Sequence, residues 1–438
     1  MGVILTKKYA HLLEKKGLNR VWHFILSSPV LLIDISKNGK LRELVSFAIW
    51  ELKSKLRLFA KNEYIVFDES TPYILKEDDD LKKLDFSIAL KRYLFEIQRT
   101  QSWKVSYTNT KGTIYGCLAT DDTVLYKSED GGKSIERVTQ FEQKISSIFI
   151  NSDDVLFVNT LDKLYRSDDA KIFKLTLTLT HKECYIFHLN GMTELPSGVL
   201  LIGEYGNIPI EGKWANVAHV YASYDGGKTW EKSDFLKKMG VNKHVHLVAY
   251  SKHLNRVLLA DGDNLKKFWI STKVDNFNLK REKWRLVNRF HIQLGGYTSM
   301  VEIDEQVILG TDYLGGTNFL VTTQDAKIFS KKVIPNPYRK SPVMDLVKRK
   351  TKEGSEEVWA VLNNANSTKA KSLLMCSKNA GKSWSRVIEY DGTKNLIRIS
   401  SGSHATNNTL TLAITPILSK PLKEGSEKPG VGYIIQDK

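Results

Sequence analysis

Short apolar runs separated by polar, turn-forming clusters fill most of this chain. Val199-Leu200-Leu201-Ile202, Arg256-Val257-Leu258-Leu259 and Gln306-Val307-Ile308-Leu309 are examples. Runs of that length, bounded by Gly, Asp and Asn, predict strands rather than helices. Three more strands are expected at 396–400, 410–414 and 431–435 near the carboxyl end. The front is less regular. Residues 9–16 have a polar, helix-like pattern, and 31–47, with Asn38-Gly39 at the centre, suits a hairpin. Residues 41–58 fit a helix equally well, and both readings stay open. The greasiest stretch, 21–35, is broken by His23, Ser27, Ser28 and Pro29 and is too short to span a bilayer.

Between the strands a turn grammar recurs. A hydroxyl residue is followed two positions on by an acid or amide, then small residues, then an aromatic. Its clearest copy is Ser223-Tyr224-Asp225-Gly226-Gly227-Lys228-Thr229-Trp230. Ser128-Glu129-Asp130-Gly131-Gly132 and Ser377-Lys378-Asn379-Ala380-Gly381-Lys382-Ser383-Trp384 are close to it. Degenerate copies begin at Ser167 (through Asp169 to Phe173), Thr323 (through Asp325 to Phe329) and Ser271 (through Asp275 to Phe277). The six starts lie 39, 56, 48, 52 and 54 residues apart. That spacing is the size of one four-stranded propeller blade. The chemistry explains the grammar: Asp or Asn caps its own downstream amides, and Gly supplies the positive φ. The hydroxyl adds a second cap, and the aromatic fills the gap between neighbouring elements. Residues 73–81 sit about one period earlier and are expected to be an eroded copy.

This pattern resembles the Asp-box (BNR) repeats of the sialidase-like propellers, over roughly residue 113 to the carboxyl end. The resemblance implies an all-β, six- to seven-bladed propeller with each box on the turn between third and fourth strands. Residues 1–100 are then an amino-terminal cap, a first blade or both, and 101–438 the propeller, closed by strands from the carboxyl end. A sialidase itself is not expected. The Phe-Arg-Ile-Pro signature is absent, and the nearest match, Tyr205-Gly206-Asn207-Ile208-Pro209, has Asn where the arginine belongs.

Composition narrows the partners. Lys and Arg number 65 against 49 Asp and Glu, an excess of 16 that attracts polyanions. No aromatic-basic RNA-binding signature accompanies it, so an acidic glycan is expected rather than nucleic acid. Three isolated cysteines (Cys117, Cys184, Cys376) exclude a disulfide framework and a thiolate zinc site. With no apolar leader pattern, the expected location is the cytoplasm.

If the boxes mark one face, the other face gathers the starts of innermost strands and the ends of second strands. The starts are His188, His244, His246, Tyr297, Arg339 and Arg398; the ends include Glu204, Tyr205, Asp261, Asp263 and Asp312. His244 and His246 lie two apart in one strand and project together. Beside carboxylates they suit proton transfer near neutral pH. A metal is not expected, because no third ligand stands at a diagnostic spacing, and no cofactor motif is present. Catalysis is therefore assigned to His244, His246, Tyr205, Asp263 and Asp312. Substrate binding falls to Glu204, His188, Tyr297, Arg339 and Arg398. The implied activity is a carbohydrate-active enzyme, lyase or hydrolase, on an acidic poly- or oligosaccharide. The alternatives are a glycosyltransferase of cytoplasmic polysaccharide synthesis and a non-catalytic scaffold for assembly or glycan recognition.

Overall fold

The computed structural model describes residues 29–437 apart from 31, 38–40, 78, 85, 87–94, 212, 242, 263–265, 288–295, 404–407 and 418–429. Seven antiparallel sheets stand around one axis as propeller blades. Blades 1 to 6 cover 103–140, 145–178, 185–233, 245–286, 296–333 and 343–390. Blade 7 takes three strands from the carboxyl end, Asn395–Ile399, Leu410–Pro416 and Val431–Asp437. Its outermost strand, Phe95–Thr100, comes from the amino-terminal side and pairs with Val431–Asp437 from Phe95↔Asp437 to Thr100↔Gly432. The ring thus closes by joining distant ends of the chain, which removes the exposed edges of an open sheet. A second closure runs along the axis, where Ser401–Ser403 pairs in parallel with Ser106–Thr108 of blade 1.

The predicted turns fall where the third strand meets the fourth. Ser223 Oγ accepts the Gly227 N–H at 2.8 Å, and Asp225 accepts the Thr229 N–H at 3.0 Å. Ser128 with Asp130 and Ser377 with Asn379 repeat both bonds. Asp169 and Asp325 cap the equivalent turns of blades 2 and 5 through two backbone amides each. Gly227 shows why the turn needs glycine. Its φ is +83°, and a Cβ there would sit 2.3 Å from Phe157 of the preceding blade. The copy at Ser271 is different: the Ser271 hydroxyl caps Val257, and Asp275 accepts from Asn255 across a 3-10 turn.

Between blades the core is mostly apolar, with a buried Arg349–Glu357–Asp437 cluster between blades 6 and 7. Trp359 and Trp384 are fully buried, and Phe95 meets Trp359 edge-on at 4.8 Å. On the amino-terminal side, residues 64–74 run as a strap along the rim of blades 5 and 6. Tyr64 bridges to Val333 on the outer strand of blade 5, and Phe67 bridges to Trp384. Tyr73–Ile74 adds a parallel fifth strand to blade 6 at Tyr73↔Ile388, so 73–81 is no eroded box. Phe86 then wedges between Tyr73 and Tyr433, 4.9 Å from each. The hairpin expected over 31–47 is replaced by helix on both sides of residues 38–40, of which Leu41–Lys55 is the longer segment. Apolar residues three and four apart over 41–56 set that period. The helix lies on the face away from the capped turns, held by Trp50 against Phe319 and by Glu43 on Lys266 at 2.9 Å.

Candidate functional site: the axial channel

Five of the innermost strands carry a register shift one or two residues from their start. It falls between Trp103/Val105, Ile145/Ser147, Val245/Leu247, Tyr297/Ser299 and Val343/Asp345. Such bulges re-aim the strand end next to the axis. Blade 3 enlarges the same interruption. Its innermost strand is split into Tyr185–Ile186 and Met192–Glu194, and residues 187–191 leave the sheet. This excursion is pinned on every side. Gly191 N–H donates to Phe187 at 2.7 Å, Val248 N–H of blade 4 donates to Asn190 at 2.7 Å, and His188 Nε2 meets the Ser400 carbonyl of blade 7 at 2.9 Å. The last bond joins blade 3 to blade 7, so the excursion reaches across the ring. Leu189 pays with a φ of +69°, and a Cβ on Gly191 would fall 2.6 Å from the Phe187 backbone.

On the side away from the capped turns, several predicted residues do converge. Tyr205 stacks on His244 with centroids 4.1 Å apart and on Phe187 at 5.1 Å; Tyr185 packs on Tyr205 at 4.9 Å. Arg398, with about a third of its side chain exposed, bonds the buried Asp345 at 3.0 Å. Burial pushes the Asp345 carboxyl up, against the pull of Arg398 and the Ile399 amide. Burial also drives the His188 imidazole down to about 4, with Arg398 adding to it and the Ser400 bond opposing, so His188 is neutral at pH 7.

His244 and His246 share a face, as expected, but that face is interior. Both are buried, and neither lines the axial cavities described below. His244 Nδ1 lies 2.6 Å from the Gly206 carbonyl, so it donates there; its Nε2 then accepts from His246 Nε2 at 3.0 Å. Gly262 closes beneath the pair: a Cβ there would fall 2.1 Å from the His244 ring. Among the described residues the two imidazoles pack as a buried pair against the rings of Tyr205 and Phe187.

Other expected site residues are engaged elsewhere. Glu204, fully buried, accepts from the Thr180 amide at 2.9 Å and the Tyr221 hydroxyl at 2.6 Å. Tyr297 is core, edge-on to Phe268 at 4.9 Å. Arg339 is bound at 2.5 Å both to Glu51 of the amino-terminal helix and to Thr317. Asp312 is half-buried and pairs with Gly296 at its strand end. Asp263 lies outside the described residues. Among the described residues no group of three His, Cys, Asp or Glu is placed to hold a metal.

Two cavities lie on the other side of the 187–191 excursion, towards the capped turns. A cavity of about 360 Å³ is lined by Tyr107, Asn190, Thr193, Tyr250, Glu302 and Lys348 with Met192, Met300 and Leu189. A second, of about 290 Å³, shares Tyr107, Leu189, Thr193 and Tyr250 and adds Phe149 and Glu194. The polar walls are held in place. Glu302 accepts the His253 N–H at 3.1 Å, Glu194 accepts the Ser152 N–H and hydroxyl at 2.8 Å, and Lys348 pairs with Glu356 at 2.9 Å. Burial, with Glu194 nearby, pushes the Tyr107 phenol up, so it stays a neutral donor. One signal was available: Tyr250, Glu302 and Lys348, near the ends of the innermost strands of successive blades, carry polar groups where a sealed core would be apolar.

No family model matches the sequence, and no curated protein matches it. Solved structures share the fold. A streptogramin B lyase aligns with a TM-score of 0.50 at 11% identity, over 78% of this chain and 97% of its own. A catalytically inactive virginiamycin B lyase from Staphylococcus aureus, solved with quinupristin, aligns with a TM-score of 0.50 at 14% identity, over 78% and 99%. At such identities the likeness shows the propeller fold alone.

Proposed function

We propose that the axial channel on the capped-turn side binds a saccharide, and that this protein is a carbohydrate-active propeller. The observation that carries the reading is the mixed lining of the 360 Å³ cavity: Tyr107 and Tyr250 offer ring faces and hydroxyls, while Asn190, Thr193, Glu302 and Lys348 offer donors and acceptors. A volume at the lower end of ligand pockets, with a few fixed polar groups, suits a sugar unit. The basic excess of the whole chain favours a glycan that carries acidic groups. Glu194 and Glu302 supply two carboxylates in adjoining cavities, the residue types that glycoside cleavage requires. Kinship with Asp-box propellers belongs to the same proposal, supported by five turns at equivalent blade positions, four capped by an Asp and one by Asn379. So does a reducing, cytoplasmic setting, which suits three free, buried cysteines.

The test is a glycan array followed by calorimetry on the best ligand, with Tyr250→Ala and Glu302→Gln beside the parent. Loss of one stacking and hydrogen-bonding wall should weaken binding at least about tenfold, the effect of roughly 1.4 kcal/mol. Glu302→Gln should also abolish release of reducing or unsaturated ends. Binding that survives both changes, or no glycan binding by the parent, would remove the reading.

A further inference from the structure

The outer side of the helix Leu41–Lys55 is built for a surface other than water. Leu41, Val45, Ala48, Leu52 and Leu56 recur at steps of three and four, and all five are exposed. Leu52 and Leu56 keep 56% and 58% of their surface open, values that exclude a packed face. Val30 and Ile33, on the preceding helical residues, are about half exposed as well. A contiguous apolar stripe of this kind marks an interaction site.

Charge tells what covers it. The acids of this region are drawn inward: Glu43 binds Lys266 at 2.9 Å, Glu51 binds Arg339 and Lys340, and Asp34 is half-buried. Every exposed charge described between 29 and 58 is cationic, namely Lys37, Arg42, Lys55 and Arg57. Residue types with an apolar stripe flanked by cations and free of carboxylates match an anionic lipid surface. A second copy of the chain would bring like charges together and is disfavoured by the same pattern. No helix of the described residues is long and apolar enough to cross a membrane, so the helix would lie on the lipid rather than span it. We infer that the amino-terminal helix docks the propeller onto anionic membrane, in the plane of the headgroups and with the box-free face towards the lipid. The axial cavity then opens on the far side, away from the membrane.

The experiment is co-sedimentation of the full chain with phosphatidylcholine vesicles, with and without about one third phosphatidylserine. Binding should need the anionic lipid, weaken in high salt, and fall at least about tenfold in Leu52→Glu, since each lost leucine contact is worth about a decade or more. A Leu52→Ile variant should bind like the parent, and thermal melts should show all variants equally folded. No binding to the anionic vesicles, or equal binding by Leu52→Glu, overturns the inference. So does a concentration-dependent dimer by light scattering that Leu52→Glu disperses, because the stripe would then belong to a second copy.

Discussion

Asp261 ends the second strand of blade 4 in complete burial, and its titration should be readable in the stability of the whole chain. One carboxyl oxygen accepts the Lys267 N–H at 3.1 Å; the other meets no donor among the described residues. Burial raises the carboxyl to about 7, with the Lys267 amide and charge opposing. A carboxyl free in the unfolded chain titrates near 3.9. The native state therefore holds its proton more tightly, and stability falls as pH rises from about 4 to about 7, then levels off. The gap of about three pKa steps corresponds to a penalty of at most about 4 kcal/mol above neutrality. Asp261→Asn keeps the shape and removes the charge. It should gain about 2–4 kcal/mol near pH 8 and nothing near pH 4. For 438 residues the unfolding entropy is about 0.9 kcal/mol per degree, so Tm should rise by about 3 °C near pH 8. Calorimetric scans of both proteins at three pH values decide it. A lower Tm near pH 8, or a shift that ignores pH, would refute the argument.

Two further perturbations test the packing. Trp384 is fully buried in the seam between blades 5 and 6, whereas Trp230 is only half-buried, its indole N–H 3.4 Å from Thr176 Oγ1. Trp384→Ala should cost about 3–5 kcal/mol in denaturant titration and Trp230→Ala clearly less; equal losses would contradict the seam geometry. Arg339→Ala should leave Glu51, 15% exposed at its side chain, with Lys340 alone at 3.5 Å, at a cost of about 1–3 kcal/mol. Hydrogen exchange should then quicken in 41–55 while the blades keep their protection; unchanged exchange in that helix would show that Arg339 does not hold it.

The architecture was legible because it repeats. A capped turn is specified by two or three adjacent residues, so Ser128, Ser223 and Ser377 announce blade edges without any knowledge of distant contacts. The carboxyl-terminal strands were legible for the same local reason, and their expected completion from the amino-terminal side is what Phe95–Thr100 provides. The strap was not legible. Tyr73–Ile74 is two residues long and owes its strand geometry to the edge of blade 6. Its neighbours Asp78-Asp79-Asp80 mimic a box, although no Ser or Thr stands two positions before any of them. The helix at 41–55 was ambiguous because Asn38-Gly39 just before it signals a hairpin as strongly as the apolar spacing signals a helix.

The site divided along a similar line. Proximity of His244 and His246 followed from strand alternation and holds, with ring centroids 4.8 Å apart. What alternation does not carry is which side of the sheet meets solvent. In blade 4 the bulge lies at His246 itself, between Val245 and Leu247, so counting onward from the histidines does not tell whether Ala249 or Tyr250 takes the axial position. The depth of the channel is set by yet another blade. Phe187-His188-Leu189-Asn190-Gly191 looks in sequence like one more polar break between strands. Its bond from His188 to Ser400, 212 positions away, ties it to blade 7, and the two described cavities lie on its capped-turn side. Local chemistry therefore predicted that the histidines would meet, whereas the walls of these cavities depend on a long-range hydrogen-bonded excursion.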